Sequence, residues 1–95
     1  MFDDKKEVII KQEIVLREED DGAFLFDPDT GRICYLNDLG IVIWKSCEET
    51  KTPDRLIDEI SPDYPEIPKE QIKEDCLNFL EDLERLGFLR AETEG

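Results

Sequence analysis

No histidine occurs anywhere in this sequence of 95 residues. Most acid–base and many metal-assisted mechanisms lose their usual side chain with it. Cysteines are few: Cys34, Cys47 and Cys76 form no Cys-x-x-Cys pair. A zinc or iron–sulfur site is therefore not expected, and the three read as small reduced core residues. Cations are scarce as well. Twelve Lys and Arg face 26 Asp and Glu, a net charge of −14. So acidic a chain repels phosphate, which argues against nucleic acid and anionic membrane as partners. No apolar run approaches the roughly 18–20 residues that span a bilayer. No basic segment followed by an apolar one opens the chain, so no secretory signal is read and a cytoplasmic protein is expected. A Gly-rich phosphate loop and a Gly-x-Ser-x-Gly elbow are also missing.

Carboxylates are plentiful, yet their pattern is not that of a site. Glu18-Glu19-Asp20-Asp21 lacks the alternating ligands and distant Glu of a calcium loop and reads as a solvated turn. Cys34 as a nucleophile would need an activating base or cation, and only Arg32 is close in sequence. The expectation is a protein with no catalytic residues, no metal and no cofactor.

What is present is a regular apolar pattern within a 39% hydrophobic, 40% charged composition. The length suits one domain with a modest core. The domain is read over residues 13–90, after a flexible N-terminal segment 1–12 and before a flexible tail 91–95. Residues 13–19 (EIVLREE) alternate as a strand, and EDDG turns the chain with Gly22 available for positive φ. AFLFD (23–27) is apolar on both faces, so it is placed at the centre of a sheet. DPDTG (27–31) is the strongest turn signal, with Gly31 suited to a left-handed bulge residue. RICYL (32–36) returns as a third strand, giving an antiparallel meander.

Asn37 is a good helix N-cap and Asp38 favours the positive end of the dipole. The helix that follows carries Trp44 as an anchor. Thr52-Pro53-Asp54 opens a second, short helix with Leu56, Ile57 and Ile60 inward. SPDYPEIP (61–68) is a loop. A long third helix runs from Pro68 to about Leu86 and stops at Gly87. Its core stripe is read as Ile72, Cys76, Phe79, Leu83 and Leu86, with Leu80 on one shoulder and Leu77 beyond it beside Lys73. The other shoulder, Asp75, Asn78 and Asp82, is polar. FLRA (88–91) either adds a strand or packs back. The fold class expected is α+β, winged helix-turn-helix-like, with a three-stranded antiparallel N-terminal sheet followed by three helices.

A winged-helix regulator acting through protein contacts or DNA is the alternative that this topology raises. Its reading helix would be 69–86, where three basic residues meet six acidic ones, the wrong sign for a phosphate backbone.

The stretch LREEDDGAFLFDPDTGRICYLNDLGIVIW, with the tail YPEIPKEQIKEDCLNFLEDLERLGFL, resembles the PqqD-like family. The likeness spans roughly residues 13–90. It implies a winged-helix-like, non-catalytic peptide chaperone, also called a precursor-peptide recognition element. Such a protein holds the leader of a ribosomally made precursor peptide and presents it to a modifying enzyme, often a radical S-adenosylmethionine protein. Pyrroloquinoline quinone biosynthesis gives the family its name. The resemblance further implies that the leader lies as an added strand along the third strand, facing the third helix. On this chain that groove is expected to comprise Arg32, Ile33, Cys34, Tyr35 and Leu36 on the strand, with Lys73, Leu77 and Leu80 on the helix. The residues themselves support a free border on the third strand, which can template another chain. The same border would permit a homodimer as well as a monomer.

Overall fold

The computed structural model describes residues 6–49 and 51–93. It is an α+β fold with antiparallel sheets and three α-helices. The meander is present as β2 (Val15–Glu19), β3 (Gly22–Phe26) and β4 (Ile33–Leu36), in spatial order β2-β3-β4. Two tight turns set its register. At the first, Gly22 has φ 146°, and a Cβ there would meet Leu36 O at 2.5 Å and the Tyr35 ring. At the second, Gly31 takes φ 76°. Its N–H donates to Asp27 O at 2.7 Å, and the Asp27 N–H donates to Arg32 O at 2.9 Å. The side chain of Asp27 completes this turn by accepting from the Asp29 N–H at 2.9 Å.

Alternation then decides the faces. Ala23, Leu25 and Leu36 point inward and are buried, with Leu16 and Cys34 packed beside them. Val15, Phe24, Phe26, Ile33 and Tyr35 point outward and are exposed. The central position of β3 is as expected, but only one of its two apolar faces is covered by the described residues.

Helix α1 (Asp38–Ser46) starts at Asn37, whose Oδ1 accepts from the Gly40 N–H at 2.8 Å. Trp44 is buried, together with Ile43 and Cys47. Helix α2 (Pro53–Ile60) buries Leu56, Ile57 and Ile60. Thr52 occupies its N-cap position, but the side chain makes no capping bond, so Pro53 and Asp54 carry the start signal. A single 3-10 turn, Ser61–Asp63, lies in the proline-rich loop. Helix α3 (Lys69–Leu86) ends at Gly87, where φ is 87° and the N–H returns to Glu84 O and Leu83 O.

The extent of the fold corrects the sequence reading. The segment 1–12 was expected to be flexible, yet Lys6–Ile10 is a strand, β1, and Val8 is fully buried. Its partner is β5 (Leu89–Thr93), antiparallel, with Val8 opposite Ala91. The N-terminal three-stranded sheet is thus joined by a second, two-stranded sheet. β1 borrows its hydrogen bonds from the far end of the chain, a pairing invisible to local pattern. The run Val8-Ile9-Ile10, β-branched throughout, was its only signal. β5 takes the strand option left open for residues 88–91 and runs on to Thr93, into the tail 91–95 that was read as flexible, because β1 pairs with it. Residues 1–5 and 94–95, expected to be loose, lie outside the described residues.

Lys11 ties the two sheets together. Its backbone N–H donates to Phe88 O at 2.9 Å, and its ammonium reaches Asp27 Oδ2 at 2.8 Å. The whole is a slab of 38 × 35 × 19 Å. That thickness fits two layers, with sheet on one side and helices on the other. Among the described residues no helix is long and apolar enough to cross a membrane.

Candidate functional site

β4 is an edge strand. One side pairs with β3, from Ala23 opposite Leu36 to Phe26 opposite Ile33, and the other has no strand partner among the described residues. An unpaired border of this kind carries N–H and C=O groups ready for another chain.

Helix α3 stands beyond that border. Arg32, just before β4, donates from Nη1 to Leu86 O at 2.5 Å and so spans the gap at one end. This guanidinium lies where the carbonyl ends of the helix accumulate negative potential, a favourable place for a cation. Further along, Asp82 acts on Cys34. The Cys34 thiol is raised above its ordinary value, first by burial and then by that carboxylate. A raised thiol is the opposite of an activated nucleophile. Cys47 and Cys76 are pushed up to about 12, mainly by burial.

At the end of β4 the gap opens into a cavity of about 360 Å³ between the start of α1 and α3. Asn37, Leu39, Gly40 and Ile43 line one wall; Asp75, Asn78, Phe79 and Asp82 line the other. Gly40 permits this closeness, because a Cβ there would sit 3.1 Å from the Phe79 ring. Phe79 and the carboxylates Asp75 and Asp82 thus line a cavity next to the end of the β4 border.

The strand residues of the expected groove lie on β4 or just before it. Ile33 and Tyr35 are exposed and directed outward, Cys34 is half-buried, and Leu36 is buried under the sheet. The Tyr35 hydroxyl donates to Asp21 O at 2.6 Å, and its ring meets Phe24 edge-on at 5.6 Å. The helix half is different. Leu80 is fully buried and forms the core with Ile72, Cys76 and Leu83. Lys73 lines a depression beside α2, with Asp54, Ile57, Asp58, Lys69 and Glu70. On a helical wheel Lys73 lies about 180°, and Leu77 about 140°, from Asp82. Both thus occupy the flank of α3 turned away from β4. The other flank carries Asp75, Asn78, Phe79 and Asp82, which line the cavity against the start of α1, and Asp82 also acts on Cys34 of β4.

The buried stripe is also turned by about 35° from the expected one. Leu80 belongs to it and Leu86 does not, being 37% exposed. A wheel cannot tell which shoulder meets which neighbour. The usable signal was Phe79, a large ring at the boundary of an otherwise polar flank.

Three comparisons bear on this arrangement. The family model for coenzyme PQQ synthesis protein D (PqqD) matches residues 22–89. No curated protein matches the chain. Among solved structures, TbiB1 in complex with the TbiA(beta) leader peptide is 27% identical, with a TM-score of 0.76, covering 90% of this chain and 99% of that one. Lasso peptide synthetase B1, complexed with the leader peptide, is 20% identical with a TM-score of 0.74, covering 87% and 96%. The PqqD truncation of Methylobacterium extorquens PqqCD, a stand-alone recognition element for ribosomally synthesised and post-translationally modified peptides, is 18% identical. Its TM-score is 0.79 and it covers 95% of each chain. The last two, at such identities, speak for the fold. The family match runs from the start of β3 into β5 and takes in the whole of β4, α1, α2 and α3, so this chain belongs to the PqqD family.

Proposed function

We propose that this protein is a non-catalytic peptide chaperone. It holds the leader of a ribosomally made precursor peptide as an added strand on β4 and presents it to a separate modifying enzyme. The observation that carries the proposal is the open border of β4, with α3 standing beyond it. TbiB1 and lasso peptide synthetase B1, similar in fold over most of their length, are complexes with leader peptides, which supports the reading. In this reading the meander and three helices form a winged-helix-like frame, and the enzyme is of the radical S-adenosylmethionine type.

The energetics are consistent with reversible holding. Roughly four main-chain bonds at about 0.5–1.5 kcal/mol each give about 2–6 kcal/mol. Micromolar affinity needs about 8 kcal/mol. Apolar leader side chains entering the groove beside Phe79 and Leu39 supply the difference, at about 25 cal/mol per Å². Main-chain pairing tolerates many sequences, so selectivity rests on the groove side chains. The proposed contacts are the backbone of Arg32, Ile33, Cys34, Tyr35 and Leu36, with Asp75, Asn78, Phe79 and Asp82 opposite.

Amide chemical shifts during titration with the cognate precursor peptide test this directly. The expected result is movement at residues 32–36 and 75–82. Shifts confined to the α2 side of α3, around Lys69 and Lys73, would refute it.

A further inference from the structure

The outward face of the meander takes no part in the groove, although it carries five of the six exposed large apolar side chains among the described residues. Val15 is 50% exposed, Ile33 65%, Tyr35 55%, and Phe24 and Phe26 39% each. Val15, Phe24, Phe26 and Ile33 line one depression with Arg17 and Glu19, and Tyr35 extends it through its edge-on contact with Phe24. Contiguous apolar patches of several hundred Å² on a small protein commonly mark binding surfaces.

Three observations narrow the occupant. The first is area. Five such side chains, open by about half, leave on the order of 400–500 Å². A stable interface buries roughly 800 Å² per partner, so the patch is incomplete as it stands. The second is charge. Residues 18–21, at the β2–β3 turn beside the patch, are all acidic, and the chain carries −14 overall. A second copy would bring the same sign to the same rim, whereas a Lys/Arg-bordered partner would be attracted. The third is continuity. Ile33 and Tyr35 belong both to this face and to the strand whose border is open. A strand added to β4 would direct every second side chain onto the outward face, in line with them. The bound peptide would thereby enlarge the patch.

We propose that the outward face of β2, β3 and β4, completed by alternate side chains of the bound peptide, is the docking surface for the peptide-modifying enzyme. The enzyme's complementary patch is apolar and bordered by Lys and Arg. This rests on the peptide-holding reading above. It adds that the enzyme reads protein and peptide together, so that loaded protein binds it more tightly than empty protein does.

The test uses the full chain, its cognate precursor peptide and the enzyme that modifies that peptide. Enzyme affinity is measured by calorimetry with and without peptide. It is measured for the wild type and for a Val15→Ser/Phe26→Ser double variant, neither position being in the groove. The expected result is at least ten-fold tighter enzyme binding by the loaded wild type. The variant should keep its peptide affinity within two-fold and lose enzyme affinity at least ten-fold. Hydroxyl-radical footprinting of the wild-type ternary complex, which needs no variant to fold, should protect Val15, Phe24 and Phe26. Equal enzyme affinity with and without peptide, unprotected side chains, or protection arising from self-association would overturn the proposal and leave peptide holding intact. Absence of peptide-induced shifts at residues 32–36 would instead remove the peptide-holding reading, and this proposal with it.

Discussion

Gly22 sits where two constraints coincide. Its φ of 146° strains an L side chain, and a Cβ would lie 2.5 Å from Leu36 O and 2.7 Å from the Tyr35 hydroxyl oxygen. Gly22→Ala should lower stability by about 2 kcal/mol, read as a shift in urea midpoint at unchanged slope. Asp27 is the residue for pH. Lys11 beside it holds its carboxyl below the ordinary value of 3.8, against the opposing effect of burial. A depressed folded value means that the unfolded chain takes up the proton first. The contribution is present above about pH 4 and is lost as pH falls through the folded value. Asp27→Asn should flatten the acid side of the stability profile, measured by urea midpoints between pH 2 and 6. Lys11 is raised by the same pair, so its contribution is complete below 10.5 and fades as pH climbs beyond it.

At the scale of elements, the two flanks of α3 make opposite predictions. Phe79→Ala, on the flank that lines the cavity with α1, should weaken peptide binding about ten-fold, the usual loss for a truncated interface aromatic. Circular dichroism should show the fold retained. Lys73→Ala, facing α2, should leave affinity within two-fold. Isothermal titration of the precursor against each variant checks both. The core face of this helix was legible at Ile72, Cys76 and Leu83, because a period of 3.6 dictates it. Its azimuth was not. Leu80 in place of Leu86 turns the buried stripe by only about 35°, so the period fixes the core face but not which flank meets which neighbour. The meander was legible because its turns are local: Gly22 and Gly31 take the conformations their positions suggested. β1 was not, since Val8 and Ala91 pair across nearly the whole chain.

For the molecule as a whole, the net charge of −14 sets which partners can approach. Fluorescence anisotropy with duplex DNA should show no binding even at about 50 mM salt, where phosphate attraction is strongest. Local sequence determined the α+β class, the two turns, the Asn37 cap and the strand Ile33–Leu36, and composition determined the charge. All of these depend on interactions within a few residues or on total charge. The tertiary structure alone decided the closing sheet of β1 and β5, the flank of α3 that lines the cavity with α1, and the outward face of the meander that the described residues leave exposed. Each of these is a choice of neighbour between distant segments. A local pattern says that a face is apolar, but only packing says what, if anything, lies against it.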